Sequence, residues 1–263
     1  MEIIKVENLE KKYKEFTAVD KITFSVPEGC IFAFLGPNGA GKTTTIKMLT
    51  TLLHPTSGKI SIMGFDPVSN AKQVRQIFGI VFQDQSLDDE LTAYENMEFH
   101  AVLYGVSKQT RQERIEQLLK MVELWDRKDD FVKNFSGGMK RRLEIARGLI
   151  HHPKLLFLDE PTIGLDPQTR NHIWGYITEL NKKEKVTVFF TTHYMEEAEK
   201  VADSVAIIDH GKLIEIGTPN ELKEKTKTQT LEDAFIQLTG KEIRQEDASP
   251  LEHMRMRRRA FRR

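Results

Sequence analysis

The stretch Gly36-Pro-Asn-Gly-Ala-Gly-Lys-Thr-Thr44 decides the fold that this sequence predicts. Its spacing is typical of a phosphate-binding loop, in which glycines let successive backbone N–H groups turn inward around an anion. An apolar strand over residues 30–35 precedes the loop, and a helix predicted over residues 41–51 follows it, with its positive end towards the anion. The residues of the predicted phosphate site are Gly36, Pro37, Asn38, Gly39, Ala40, Gly41, Lys42, Thr43 and Thr44.

Two acids end a later apolar strand, in Lys154-Leu-Leu-Phe-Leu-Asp-Glu160. Asp159 at the strand tip can hold Mg²⁺, directly or through water, while Thr43 would ligate the same ion and Lys42 would reach the β- and γ-phosphates. Glu160 is placed to orient or deprotonate an attacking water. Buried strands often end in an acid, so this pattern alone leaves a structural role open. Together with the phosphate loop, it predicts nucleotide hydrolysis.

A third element, Asn134-Phe-Ser-Gly-Gly-Met139, begins a predicted helix. Ser136 is a natural N-cap, and Gly137 and Gly138 leave the first-turn amides uncovered. A capped helix start is the plain structural interpretation. The functional interpretation is a second anion site, which would meet a γ-phosphate from the other side. These residues alone leave both interpretations open.

The three elements resemble the Walker A, Walker B and signature motifs of ABC ATPases, and they occur in that family's order. The resemblance covers residues 3–238 and implies roles for further residues. It makes Gln83 the Q-loop residue, which senses Mg²⁺ and a membrane partner, and Asp166 a D-loop residue at the nucleotide site. It makes His193 the switch histidine that contacts the γ-phosphate. Tyr13 lies where the family has an adenine-stacking aromatic, although it could instead pack against a sheet.

The resemblance also implies ATP and Mg²⁺ as cofactors and a working unit of two chains. ATP bound to the Walker A loop of one subunit would be closed over by Ser136 and Gly138 of the other, in a homodimer or in a heterodimer with a paralogue. Glu160, His193 and Gln83 would carry the catalytic step. Phe135 and Met139 depart from the family's usual Leu-Ser-Gly-Gly-Gln, but the anion-contacting serine and glycines are intact.

Three stretches resemble the ATPase subunits of drug and multidrug exporters of the daunorubicin-resistance type. They are residues 81–92, 136–143 and 231–239. This resemblance implies an exporter whose transmembrane permease is a separate chain. An importer ATPase and a soluble ABC ATPase that is not coupled to transport remain as alternatives. The long coiled-coil insertion or zinc motifs of the soluble DNA-repair type are not found in this sequence.

Strands and helices alternate along most of the chain, which predicts an α/β fold with a largely parallel sheet. The fold class implied is a P-loop NTPase core with an N-terminal antiparallel β subdomain and an inserted α-helical subdomain at about residues 86–152. We expect one ABC ATPase domain over residues 1–240. Residues 241–263 would form a short C-terminal extension with a basic tail.

Composition limits the partners. The chain has 39 basic and 39 acidic residues, so no global field favours nucleic acid, and we expect no nucleic-acid partner. The longest apolar runs fall far short of the roughly 20 residues of a membrane span. The one cysteine, Cys30, fits a reducing compartment and lies in an apolar stretch that predicts a core position. These features predict a cytoplasmic protein, and the resemblance to transporter ATPases implies a peripheral subunit at the cytoplasmic face of the membrane.

The last fifteen residues, 249–263, hold six arginines against one glutamate, a formal charge of +5. Such a tail is commonly solvated and disordered. Its apolar residues are interleaved with the arginines, which is also typical of a segment that lies on an anionic membrane surface. The sequence leaves both interpretations of the tail open.

Overall fold

Six strands form the central sheet of the computed structural model, which describes residues 1–240; the predicted basic tail lies outside the described residues. In spatial order the strands are β5 (Phe78–Val81), β6 (Leu155–Asp159), β7 (Thr187–Thr192), β3 (Ile31–Leu35), β8 (Ser204–Asp209) and β9 (Lys212–Gly217). The first five run parallel, and β9 pairs antiparallel with β8. The predicted α/β class with a largely parallel sheet is confirmed.

A second sheet consists of β2 (Phe16–Pro27), β1 (Glu2–Tyr13) and β4 (Ser57–Ile62), and all its pairings are antiparallel. This confirms the N-terminal antiparallel β subdomain. The core between the two sheets is rich in aromatic rings: Phe24 stacks on Phe32 at 5.9 Å, and Phe32 on Phe189 at 5.4 Å between centroids. Cys30 is buried here as predicted, and burial raises the pKa of its thiol to about 12.

Strand β3 contributes to two cores because its side chains alternate between the faces of the sheet. Phe32 and Phe34 face the core beneath the antiparallel sheet. Ile31, Ala33 and Leu35 face the core formed with the helices on the other side. All five residues are buried, as expected for a strand covered on both faces.

Helices cover the remaining faces. They are α1 (Lys42–Leu49), α2 (Ala71–Ile77), α3 (Ala93–Leu103), α4 (Lys108–Met121), α5 (Gly137–Gly148), α6 (Pro167–Glu184), α7 (Met195–Val201), α8 (Pro219–Thr226) and α9 (Leu231–Thr239). Between β5 and β6, α3 to α5 and two short 3-10 helices form a helical insertion. Within residues 1–240, none of the helices combines the length and apolar character that a membrane span requires.

A loop precedes the first helix of the helical insertion. Helix α3 begins after Thr92, where Thr92 and Glu95 form a capping box. The preceding loop is held by Asn96, whose side chain accepts from the Asp88 amide and donates to the Asp88 carbonyl. Helix α8 was not among the predicted helices, although Thr218 and Glu221 form a second capping box that marks its start.

The parallel strands deliver their carboxyl ends to one edge of the central sheet. The register pairs Leu35 of β3 with Thr192 of β7, and Asp159 of β6 with Thr191. Val81 of β5 pairs with Leu158 of β6. The segments that follow these four strands therefore meet at this edge, where ligands of open α/β sheets bind.

Gly58 offers a test of how tightly the antiparallel sheet is packed. Its φ is +92°, and an added Cβ would lie 2.3 Å from the Asn8 carbonyl oxygen. Gly64 has a similar φ of +85° but nothing within 4 Å of an added Cβ. We expect Gly64→Ala to cost about 1–2 kcal/mol through backbone strain alone. Gly58→Ala should cost about 1–3 kcal/mol more, because backbone must also move. Urea unfolding measures both, and equal losses would contradict the packing argument.

Candidate nucleotide-hydrolysis site

The phosphate loop between β3 and α1 requires glycine at two close approaches. A Cβ on Gly36 would lie 2.3 Å from the Ile208 carbonyl oxygen. One on Gly41, whose φ is +106°, would lie 2.5 Å from the Ala18 carbonyl oxygen. Helix α1 begins directly after Gly41 without a side-chain cap, so its first amides remain available to an anion. The loop has the geometry of an anion site.

The Lys42 ammonium lies inside this loop. Its Nζ donates to the carbonyls of Gly36 at 2.7 Å and Pro37 at 3.3 Å, and it is 3.6 Å from Glu160 Oε1. Burial lowers the pKa of Lys42, and the charges of Glu160 and Asp159 oppose that shift. The ammonium is thus positioned where it can bind the phosphates of a nucleotide.

Asp159 ends β6 with its carboxylate close to two hydroxyls. Oδ1 accepts from Thr191 Oγ1 at 2.6 Å, and the Thr43 hydroxyl also hydrogen-bonds this carboxylate. Burial raises the pKa of Asp159, while these two hydrogen bonds lower it in part. Carboxylate and hydroxyl oxygens fit Mg²⁺, which usually binds one or two carboxylates together with substrate phosphates. Thr43 and Asp159 are therefore suited to hold the ion together.

Glu160 lies one residue beyond the strand, with φ at +49°. A left-handed conformation is uncommon for a residue with a side chain and costs about 1–3 kcal/mol. Its amide donates to the carbonyl and to the hydroxyl of Thr191, and its Oε2 lies 2.5 Å from His193 Nδ1. Burial would raise the pKa of Glu160, but the His193 hydrogen bond and the Lys42 charge outweigh it and hold the pKa below its ordinary value.

The structure therefore brings together Lys42, Thr43, Asp159, Glu160 and His193, as the sequence predicts. Gln83 follows the end of β5 and is exposed near the same edge. Tyr13 is 46% exposed at the end of the β1–β2 hairpin, with the Lys11 ammonium 5.2 Å from its ring centroid. A ring with this exposure is free to stack on a base.

Ser136 and Asp166 are both helix caps. The Ser136 hydroxyl accepts from the Met139 amide at 3.2 Å, and Asp166 accepts from the amide and hydroxyl of Thr169. Among the described residues, the hydrogen bonds of both side chains stay within their own helix starts. Both residues are exposed.

The two departures from the usual signature motif share one neighbour. The Arg127 guanidinium lies 5.5 Å from the Phe135 ring centroid and also contacts the Met139 sulfur at 3.8 Å. Phe135 is buried, while Ser136 and Gly137 beside it are exposed. Phe135 and Met139 therefore pack against Arg127, and Ser136 still caps the helix.

Sequence reasoning missed the buried carboxylate of Glu197. It accepts from Thr162 Oγ1 at 2.6 Å and from Thr192 Oγ1 at 3.0 Å. It thereby joins the segment after Glu160 to the end of the strand before His193. Glu197 sits among other acids in Glu-Glu-Ala-Glu199, so nothing in its sequence context distinguishes it from a solvated helix residue.

Fold and site together define a phosphate-loop ATPase with an inserted helical subdomain. The family model described as ABC transporter matches residues 19–163, which is more than half of the chain. The chain belongs to the ABC transporter ATP-binding family, and it is an ATPase. The resemblance stated from the motifs is confirmed.

Relatives and solved structures agree with this assignment. The linearmycin resistance ATP-binding protein LnrL of Bacillus subtilis is 42% identical over 90% of this chain and 75% of its own length. The daunorubicin/doxorubicin resistance ATP-binding protein DrrA of Streptomyces peucetius is 42% identical over 87% of this chain and 69% of its own. A dimeric post-hydrolysis structure of the cassette MJ0796, bound to ADP and Pi, is 28% identical with a TM-score of 0.74, covering 82% of this chain and 98% of that one.

The Glu160 carboxylate can be tested by an isosteric change. Glu160→Gln removes the charge that accepts a proton from water but keeps the shape of the side chain. We expect ATP binding to persist and turnover to fall by about 10²-fold or more. Steady-state phosphate release and nucleotide titration measure the two effects. Glu196→Gln is the control, because Glu196 is exposed on α7. An unchanged rate for Glu160→Gln would remove Glu160 from its assigned role.

Proposed function

We propose that this chain is the ATP-hydrolysing subunit of an exporter of drugs, lipids or other hydrophobic compounds. It would work at the cytoplasmic face of a membrane, as a head-to-tail dimer that powers a separate transmembrane permease. The main observation behind this proposal is that four predicted site residues lie together at one edge of the central sheet: Lys42, Asp159, Glu160 and His193. Ser136, the N-cap of α5, is exposed and forms its hydrogen bond within its own helix start. Relatives with drug-resistance names support the exporter assignment.

Different residues of the site would bind the base, the phosphates and the metal ion. Tyr13 would stack on adenine, a contact worth about 1–3 kcal/mol by analogy with nucleic-acid platforms. The loop amides and Lys42 would bind the phosphates. Mg²⁺, held by Thr43, Asp159 and Gln83, would supply positive charge against the phosphate oxygens.

Glu160 would act as the proton acceptor. Its lowered pKa keeps it ionised at neutral pH, so its carboxylate is ready to orient or deprotonate an attacking water. His193 holds one of its oxygens in this structure, and in the proposed mechanism the imidazole also faces the γ-phosphate. The strained backbone of Glu160 fixes the direction from which its side chain approaches.

The second subunit would complete the site. Ser136, Gly137 and Gly138 at the start of α5, with Asp166 at the start of α6, would face the nucleotide bound to the partner chain. A helix start with a hydroxyl cap and two uncovered glycines is suited to a γ-phosphate. Since only ATP offers that phosphate, closure on ATP and opening after hydrolysis would follow from differential contacts. The dimeric structure of the MJ0796 cassette supports a working unit of two chains.

Coupling to the permease would use the Gln83 loop and the helical subdomain. On α3, the side chains of Phe99, Val102 and Leu103 are exposed apolar groups, as expected for a surface that binds another protein. Residues 1–240 would then be the ABC ATPase domain, with the helical subdomain at about 86–152 and the basic extension at 241–263. An importer subunit remains the second candidate, since direction of transport is set by the permease.

The split site can be tested by mixing two inactive variants. Lys42→Ala disables phosphate binding in one subunit, and Ser136→Arg blocks the cap that it offers to its partner. A heterodimer of the two would keep one intact composite site. In an equimolar mixture about half of the dimers are heterodimers with one intact site of two, so we expect mixing to restore about a quarter of wild-type ATPase activity at saturating ATP. Mixtures that are no more active than either parent would contradict the head-to-tail arrangement.

The coupling role of Gln83 can be tested in a complex with the permease. We expect Gln83→Ala to lower stimulation by transport substrate more than it lowers basal ATPase activity, because the loop would join the partner to the site. Gln85→Ala, an exposed glutamine of the same loop, is the matched control. Transport that keeps its normal ratio to hydrolysis in Gln83→Ala would count against this role.

A further inference from the structure

The Arg141 side chain connects α5 to the end of β6. Arg141 is 6% exposed, and all five of its N–H donors meet acceptors, which is the full capacity of a guanidinium. Nε donates to the Pro161 carbonyl at 2.7 Å, Nη1 to the Phe82 carbonyl and to the Glu144 carboxylate at 3.1 Å, and Nη2 to the carbonyls of Asp159 at 3.1 Å and Glu160 at 3.0 Å.

Three of these acceptors are consecutive carbonyls, those of residues 159–161, and they surround the left-handed backbone of Glu160. The amide of Glu160 also donates to the carbonyl and the hydroxyl of Thr191. A strained conformation persists only where its surroundings determine it fully. Arg141 is one of the groups that hold the backbone in this conformation.

The same helix face also holds both ends of the loop that carries Gln83. Arg141 binds the Phe82 carbonyl before Gln83. Glu144, which is 1% exposed and paired with Arg141, accepts from the amide of Ser86 at 2.8 Å and from its hydroxyl at 3.2 Å. Two residues on one turn of α5 therefore connect the Q-loop to the strand end that carries Asp159 and Glu160.

A buried ion pair contributes little net stability, because both charges lose their hydration. What Arg141 and Glu144 provide is a fixed geometry between two loops. We propose that Arg141, held by Glu144, is a positioning residue that links the Q-loop to the Glu160 carboxylate within one subunit. The proposal rests on the proposed role of Glu160 in hydrolysis. A displacement of the Gln83 loop by a permease would then move Glu160 through the guanidinium.

Arg141→Lys tests this link in the full-length protein. Lysine keeps the charge that pairs with Glu144, but its three donors cannot serve five acceptors. We expect kcat for ATP to fall about ten-fold or more, because small displacements of a reacting group are costly. KM for ATP should stay within about two-fold, because the phosphate loop is not touched.

Arg114→Lys is the matched control. Arg114 is 4% exposed and forms a bidentate pair with Glu184, at 2.8 and 2.9 Å, without contacting the site. It therefore reproduces the structural loss of a buried arginine, and its kcat should remain that of the wild type. If Arg141→Lys does not give folded protein, Glu144→Gln tests the same link, since it keeps the shape of the side chain and removes its charge.

The decisive measurement repeats Arg141→Lys in a Glu160→Gln background under single-turnover conditions. If Arg141 acts through Glu160, its ten-fold loss should shrink to about two-fold or less there. An equal loss in both backgrounds, or an unchanged kcat in the single variant, would overturn the proposal. A Glu160→Gln enzyme with normal turnover would instead overturn the role of Glu160 itself, so the two failures are distinguishable.

Discussion

Parallel hydrogen bonding among β5, β6, β7 and β3 is the constraint on which the rest of this structure depends. The phosphate loop, the two acids, the histidine and the exposed glutamine come from widely separated parts of the sequence. Each of them lies at the end of a strand or just after it, and the pairing of the strands fixes the relative positions of the strand ends. A slip of one residue would turn every side chain of a strand to the opposite face. Because the two faces pack against different cores, such a slip would require both cores to repack.

Electrostatics at this edge is arranged so that each buried charge has a partner. Lys42 is close to Glu160, Glu160 to His193, and Asp159 to two hydroxyls. Burial disfavours the charged form of Lys42, Asp159 and Glu160. It lowers the pKa of Lys42 and raises that of Asp159, whereas the partners of Glu160 outweigh burial and lower its pKa. The result for Glu160 is a carboxylate that remains charged at neutral pH although it is largely buried. Such a group can accept a proton without first having to lose one.

Sequence reasoning was strongest where chemistry demands particular residues at fixed spacing. The phosphate loop and Asp159-Glu160 could be placed because backbone approach and metal binding tolerate few alternatives. Helix α8 was missed, since its short length gives little periodicity, although its capping box was readable. Arg141 could not be found in this way. It stands in a run of three basic residues on a helix, and only the tertiary packing reveals which of them is buried.

Strand β3 belongs to both hydrophobic cores, because neighbouring side chains along its five residues point to opposite faces. Neither core can be opened to water without exposing this strand. The antiparallel and helical layers would therefore unfold together, as one cooperative unit. Since the phosphate loop begins where β3 ends, a ligand held there adds its binding free energy to the stability of both layers. Nucleotide binding would thus protect amides of both layers from hydrogen exchange, including amides that the nucleotide does not touch.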